Sequence, residues 1–565
     1  MNSEIDPPSL TPSRRSLLKI LGALGIGSLP FQRSVAAQAQ QSSTITEGMI
    51  QQAEWISGIK LDEAARKSIV RTVNGELRAI ASMRGFELTN AHAPALSFQP
   101  EPWKVPSEKP NRGTVEIGES KGIKKPASEE ELAFLPVTAL GELIRTKQVT
   151  SLELTKLYLS RLKKYDPALL CVVTLTEELA LKQAAEADKE IAAGKYRGPL
   201  HGIPWGAKDL ISYPGYKTTW GATPYKEQLL KTKATVAQRL DDAGAVLVAK
   251  LTLGALAMGD QWFGGMTRNP WNVEVGSSGS SAGSACAAVA GLVGFAIGTE
   301  TLGSIISPST RCGASGLRPT FGRVSRAGCM ALAWSMDKLG PIARSLEDCA
   351  LILGVIHGAD GLDNCAVDRP FNWPGRKDLK GIKVGYAEGA KEVKDRTELQ
   401  VLKELGVELI PLSLPNKVPM GITSIILNAE CASAFDDLTR KGVTEGLNSW
   451  PEIFRGGQFI SAVEYLRANR LRAVLMEEMA KIFEKVDMYV GIPDLGITNL
   501  TGHPTAVMPN GFRKMNEIST PTAITFTGRL YGESDLLAVA SAYQKATGHH
   551  LKHPPMDKVV VKEKK

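Results

Sequence analysis

Gly279-Ser280-Ser281-Ala282-Gly283-Ser284 opens a run of small apolar residues that reaches Val293, and Gly298-Thr299-Glu300-Thr301-Leu302-Gly303-Ser304-Ile305 follows the short strand candidate Gly294 to Ile297. A turn, a buried small-residue helix, a strand and a second turn are the alternation of an α/β fold. Upstream stands Gly202-Ile203-Pro204-Trp205-Gly206-Ala207-Lys208-Asp209. Glycine lets backbone come close to a ligand and turn its N–H groups inward, so hydroxyls set among glycines face the same pocket. A single Gly-Ser dipeptide marks only a turn. Two such turns with a lysine in apolar company point instead to a serine nucleophile whose base is not histidine.

The elements on either side alternate in the same style. Thr235 to Asp242 reads as a helix, Gly244 as a break and Ala245 to Ala249 as a strand, and Ile382–Tyr386, Val407–Leu412 and Met488–Ile492 are further strand candidates. Ala139 to Thr146 reads helical, and Thr150-Ser151-Leu152-Glu153 is a capping-box start for the next helix. The layout is a layered sheet with helices on its faces. Residues 40–129 form an extension: Ile50, Ala53, Ile56 and Ile59, then Ala65, Ile69 and Val73, recur at helical spacing. The proline-rich stretch Pro94 to Pro126 reads as a linker or an arm on the main domain, which is placed at 130–556 with a basic tail at 557–565.

At 565 residues, 43 % of them hydrophobic, the chain can bury a large core. Its net charge of +8 is dispersed apart from the tail (Lys558, Lys562, Lys564, Lys565), so there is no nucleic-acid footprint. Seven cysteines are widely spaced without a Cys-x-x-Cys pair; Cys312 with Cys329 is one pair an oxidising compartment would allow to close. No cluster has metal-ligand spacing, so no metal and no organic cofactor is expected. Homo-oligomerisation is left open.

Ser13-Arg14-Arg15-Ser16-Leu17-Leu18-Lys19, an apolar run from Ile20 to Phe31, and Val35-Ala36-Ala37-Gln38-Ala39 resemble a twin-arginine export signal. The run is too short and glycine-rich to span a bilayer of about 30 Å comfortably. Cleavage near Ala39, a periplasmic location and no stable membrane insertion afterwards are the expectation.

A free serine hydroxyl needs a base within hydrogen-bond reach. Of seven histidines, His549, His550 and His553 lie near the C-terminus and His92 in the extension, leaving His201, His357 and His503. Lys208 is the alternative base. To act near neutral pH its pKa must fall from about 10.4 toward 7, about 4–5 kcal/mol of desolvation, for which Ile203, Pro204 and Trp205 supply an apolar setting.

The three segments resemble the amidase signature family of serine hydrolases, whose usual pattern is Gly-Gly-Ser-Ser-Gly-Gly-Ser, then Gly-Thr-Asp-Thr-Gly-Gly-Ser-Ile, with the base in Gly-Ile-Pro-x-x-x-Lys-Asp. Thr267–Asn272, Asp337-Lys338-Leu339-Gly340-Pro341 and Asn499–Pro504 also resemble family landmarks, and the likeness covers about Glu130 to Thr547. The resemblance implies a three-layer α/β/α fold with a central mixed sheet. It also implies hydrolysis of a small-molecule amide, with Ser304 as nucleophile, Ser280 as a bridging serine usually held by a cis peptide bond, and Lys208 as base. The oxyanion hole would be the backbone N–H groups of Thr301, Leu302, Gly303 and Ser304.

Four positions depart from the pattern: Ala282 for glycine, Glu300 for aspartate, Leu302 for glycine, and Ile306 where arginine is frequent. Leu302 is expected to place a side chain near the acyl site and restrict the turn, and an Asp–Arg brace for the loop is expected to be missing. The segment between Val490 and Asn499 is short for the family, which is expected to open or reshape the pocket. Among rival readings, Gly279–Gly283 also fits a Gly-x-Ser-x-Gly elbow with Ser281 as nucleophile and His503 as base, but Asn269–Asn272 and Gly276–Ser278 read as loop where an elbow needs a strand. Ser335-Met336-Asp337-Lys338 fits Ser-x-x-Lys without a Lys-Thr-Gly partner. The family's core is shared by the A-type component of an amidotransferase working on charged tRNA.

Overall fold

The computed structural model describes residues 44–86, 96, 112–116, 122–376, 378–389, 395–515 and 518–560. The export-signal reading of residues 1–39, most of the proline-rich stretch and the last lysines of the tail lie outside them.

A single eleven-stranded sheet runs through the molecule. Its strands are β1 (Val172–Leu175), β2 (Pro204–Lys208), β3 (Val246–Leu251), β4 (Phe295–Glu300), β5 (Ser315–Arg318), β6 (Lys338–Ala343), β7 (Lys383–Ala387), β8 (Glu408–Leu412), β9 (Met488–Val490), β10 (Thr505–Met515) and β11 (Ile518–Gly528). The spatial order is β1-β3-β2-β4-β6-β5-β10-β11-β9-β7-β8. β2 is parallel to β3 and β4, and β7 to β8 and β9, while the remaining pairs are antiparallel. The sheet is therefore mixed.

Side chains alternate across a strand, and here the alternation divides two cores. Leu247 and Ile297 belong to one cluster with Leu143, Leu240 and Leu353 from helices on that side. Val246, Val248 and Ala296 belong to another with Leu162, Ala184 and Ala287 from the opposite side. Helices on both faces of one sheet make three layers, as expected.

The helix Thr235–Asp242 has the bounds its periodicity predicts. At Thr150 the capping box closes, with Thr150 Oγ1 accepting from Glu153 N at 3.0 Å and Glu153 Oε2 from Thr150 N at 2.8 Å. The small-residue helix begins earlier and ends sooner than read, at Ala282–Val289. Gly291, at φ +63°, turns the chain out of the helical path. Of the two stretches read as loop, Asn269–Asn272 and Gly276–Ser278, the first and the start of the second belong to a two-stranded hairpin of Arg268–Asn269 with Asn272–Gly276.

The extension is helical at Glu47–Ser57 and Glu63–Arg84, the second capped by Asp62 accepting from Ala65 N at 2.7 Å. Its Ile80 and Met83 join Ile422, Leu471 and Leu475 in a separate core, and Arg84 pairs with Glu464. The described piece of the arm lies on the main body, where Glu116 N donates to Trp373 O at 2.7 Å. All seven cysteines are unpaired. Cys312 points its thiol at Ser277 O, whereas Cys329 sits opposite Ile211, so the pair entertained above is not formed.

Candidate active site

Lys208 and the second serine turn meet because β2 and β4 are parallel neighbours, with Trp205 opposite Phe295 and Ala207 opposite Ile297. Their carboxyl ends lie side by side, where open α/β sheets place ligands. Both strands are wholly buried. The helix Ala282–Val289 carries the first turn in beneath them. A Cβ on Gly283 would stand 2.4 Å from Cys171 O and 2.5 Å from Thr252 N, so this close seat admits only glycine. Ser284 Oγ donates to Ile297 O at 3.1 Å.

The fully buried Lys208 amine nitrogen lies 2.8 Å from Ser280 Oγ, 3.1 Å from Ser281 Oγ, 2.7 Å from Thr299 Oγ1 and 3.3 Å from Thr299 O. Burial drives its pKa down to about 7, against the opposing pull of Asp337, Glu300 and Cys329. The Gly279–Ser280 peptide is cis. Ser281 N donates to Ser304 O at 3.1 Å, which ties the two serine turns together, and Ser304 itself is 8 % exposed. Lys208, Ser280 and Ser304 thus share one place.

Positive φ falls on Gly303, at +87°, and not on Leu302. The leucine is 39 % exposed and does not force the turn, contrary to the expected restriction. Among the described residues, the N–H groups of Thr301, Leu302, Gly303 and Ser304 donate to no other backbone group.

The brace expected to be missing is present in another form. Glu300 Oε1 accepts from Arg318 Nη1 at 2.7 Å and Asn499 Nδ2 at 2.9 Å, and Glu300 Oε2 accepts from Ile305 N at 2.9 Å and Ile306 N at 3.0 Å. The arginine comes from the end of β5 rather than from position 306. Burial raises the Glu300 pKa, but Arg318, Lys338 and the Ile306 N–H outweigh it and hold the carboxyl down at about 2. Glu300→Gln is expected to destabilise the fold by about 3–5 kcal/mol, because it leaves the wholly buried Arg318 without its counter-charge. Urea unfolding near neutral pH measures this, and a loss under about 1 kcal/mol would show that the pair does not brace the loop.

The rival constellations do not assemble. Ser281 Oγ is held between Thr299 N (3.1 Å) and Thr299 O (3.0 Å), while His503 bonds Thr501 Oγ1 at 2.7 Å and stacks on Phe483. Burial, with Arg318 adding to it, lowers the His503 pKa to about 3. Ser335 bonds Glu430, and Lys338 turns its amine to Met336 O.

Sequence reasoning missed Thr299, whose signal was its place one strand register from a buried lysine, and Arg318, a charge closing the otherwise uncharged strand Ser315–Arg318. It also missed the ion pair of Asp209 with Lys250, 2.7 Å apart and wholly buried.

A cleft of about 1040 Å³ opens beside the turns, lined by Ser278, Ile306 and Ser307 on the near side and Arg513 and Thr520 across it. Leu495, which opens the helix Leu495–Thr501 inside the short segment, lines the same cleft and approaches Gly303: a Cβ there would stand 3.4 Å from Leu495 Cδ1. Among the described residues no group of His, Cys, Asp and Glu could hold a metal, and no helix is long and apolar enough to cross a membrane.

The sequence profile of the family described as Amidase matches residues 153–493. The A-type component of glutamyl-tRNA(Gln) amidotransferase from Roseiflexus castenholzii is 34 % identical over 484 residues, covering 74 % of this chain and 97 % of the relative. Its counterpart of the same name from Methylococcus capsulatus is 33 % identical over 473 residues, covering 73 % and 96 %. Among solved structures, native peptide amidase from Stenotrophomonas maltophilia aligns with a TM-score of 0.64 at 27 % identity, covering 75 % of this chain and 99 % of that one. With the profile matching more than half of its length, and with these relatives aligned almost end to end, the chain belongs to the amidase signature family.

Proposed function

We propose that the chain cleaves a carboxamide C–N bond through an acyl-enzyme on Ser304. The observation that carries this is the fully buried Lys208, its pKa pushed down to about 7, at 2.8 Å from Ser280 Oγ on a loop tied to Ser304. Uncharged Lys208 accepts a proton relayed through Ser280 as Ser304 Oγ attacks the amide carbon. The N–H groups of Thr301, Leu302, Gly303 and Ser304 receive the oxyanion. The same relay returns the proton to the leaving nitrogen, and a second nucleophile then releases the acyl group.

That chemistry serves two settings. The A-type component of a tRNA-dependent amidotransferase is favoured by relatives at 33–34 % identity over nearly their whole length. A free-standing amide hydrolase is favoured by the likeness to peptide amidase at 27 % identity and by the export-signal resemblance of residues 1–39. The amidotransferase setting has the stronger support from sequence relatives. Native purification of the full chain from its own cell, with fractionation, decides between them. Cytoplasmic protein bringing down two smaller chains supports the first; processed periplasmic protein hydrolysing primary, aryl or peptide amides alone supports the second. A fluorophosphonate probe that fails to label Ser304 in the folded protein would overturn the shared chemistry.

A further inference from the structure

Taking a proton turns Lys208 into an ammonium inside the protein, and a buried cation needs a compensating charge. The carboxylates around the base are unequal in this respect. Glu300 is neutralised by Arg318 at 2.7 Å and Asp209 by Lys250 at 2.7 Å. Asp337 stands apart: among the described residues no cation lies within ion-pair distance of it. Arg326 is engaged with Asp363 at 2.8 Å, and Lys338 turns away to Met336 O, burial holding its amine well below the usual lysine range. Asp337 accepts three hydrogen bonds, from Thr301 Oγ1 at 2.5 Å, Leu332 N at 2.8 Å and Ala333 N at 3.0 Å. Burial pushes its pKa up from the ordinary aspartate value, and these donors, with Arg326, pull against that rise. The two backbone N–H groups can only donate, which favours the ionised carboxylate. Asp337 and Thr299 line one cavity of about 10 Å³, together with Thr301 and Cys329 among others, and the Thr299 hydroxyl touches Lys208.

We propose that Asp337 is a positioning residue with two actions: it clamps the side chain of Thr301, the first residue of the oxyanion turn, and it supplies the fixed negative charge against which the Lys208 ammonium forms. It touches neither the substrate nor the reacting atoms. The proposal rests on the reading of Lys208 as the base and of Ser304 as the nucleophile. Glu300 and Cys329 also raise the lysine's pKa, while Arg318, Lys250 and Arg326 nearby are held in ion pairs with Glu300, Asp209 and Asp363 respectively, and the Lys338 amine faces Met336 O.

The test is the pH dependence of Ser304 labelling by a fluorophosphonate, a readout that needs no knowledge of the substrate. Asp337→Asn is expected to move the acid limb of labelling to lower pH by about one unit, because the lysine loses a stabilising charge, and to lower the plateau about ten-fold. A packing defect would lower the plateau without moving the limb. Asp337→Ser removes the charge and leaves room for water, and serves if the asparagine variant does not fold. Thr301→Val keeps both the shape and the carboxylate, so it is expected to lower the plateau about ten-fold with no downward movement of the limb. An unmoved limb in the folded Asp337 variants, or a Thr301→Val plateau within two-fold of the parent, would overturn the proposal. Absence of labelling in the parent protein would instead overturn the reading of Ser304 and, with it, this one.

Discussion

Ser304→Ala is expected to lower amide cleavage by about 10⁴-fold or more while leaving the fold intact. The size of the effect follows from the chemistry proposed for the site: without Oγ there is no acyl-enzyme, and what remains is the help that bound water receives from the turn's N–H groups and from binding. The fold should survive because Ser304 joins its neighbours through its backbone, Ser281 N donating to Ser304 O at 3.1 Å. The turn's shape depends on Gly303 and on the Glu300 brace, neither of which the substitution touches. Thermal unfolding should therefore shift by no more than about 0.5 kcal/mol of stability. Turnover of the preferred amide, read beside that of Ser281→Ala, checks the assignment. The Ser281 hydroxyl is occupied by both polar groups of the Thr299 backbone, so its loss should weaken the lysine's seat without ending catalysis. A Ser304→Ala protein retaining more than about one hundredth of parental activity, with Ser281→Ala inert, would hand the nucleophile's role to the elbow reading.

How much of this was legible in the chain depends on the range over which each feature is decided. The helix Thr235–Asp242 and the Thr150 capping box are set by residues within a turn or two of one another, and both are found where the sequence places them. The meeting of Lys208 with Ser280 is long-range, yet each lies in a segment distinctive enough to be recognised separately. Arg318 shows the limit. Its value to Glu300 depends on β5 lying between β6 and β10, in a register that sets Arg318 against Thr505, and no local periodicity encodes that neighbourhood. The expectation that position 306 left the loop without a brace looked for the cation along the chain, when the fold brought it across the sheet. Leu302 was misjudged for a related reason: which residue of a glycine-rich turn carries the positive φ is fixed by how the loop closes over Glu300, and that residue is Gly303. The hairpin Arg268–Gly276 has strands of two and five residues, too short for alternation to distinguish from loop.

Lys208→Met is expected to reduce catalysis about as far as the nucleophile's loss, by about 10³–10⁴-fold, and to change how stability depends on pH. Methionine matches the length of the lysine stem, so the apolar part of the site stays filled, but nothing remains to accept the proton from Ser280. In the native chain the lysine's pKa is depressed from 10.5 to about 7, by burial first. Between those values the unfolded state binds a proton that the folded state does not, so stability rises with pH from about 7 to about 10.5 as far as this group is concerned, in the sense that the cost of burying the ammonium is no longer met. Below about 7 both states carry the proton, and the parent bears the full cost of a buried ammonium, about 5 kcal/mol relative to its alkaline plateau. The variant lacks this component. It should gain stability relative to the parent at pH 6 and lose that advantage toward pH 10. Urea unfolding of both proteins across that range measures the difference directly, and parallel curves would mean that Lys208 keeps an ordinary pKa. A lysine charged throughout this range could not act as a base for Ser304, so the stability measurement tests the mechanism without any substrate in hand.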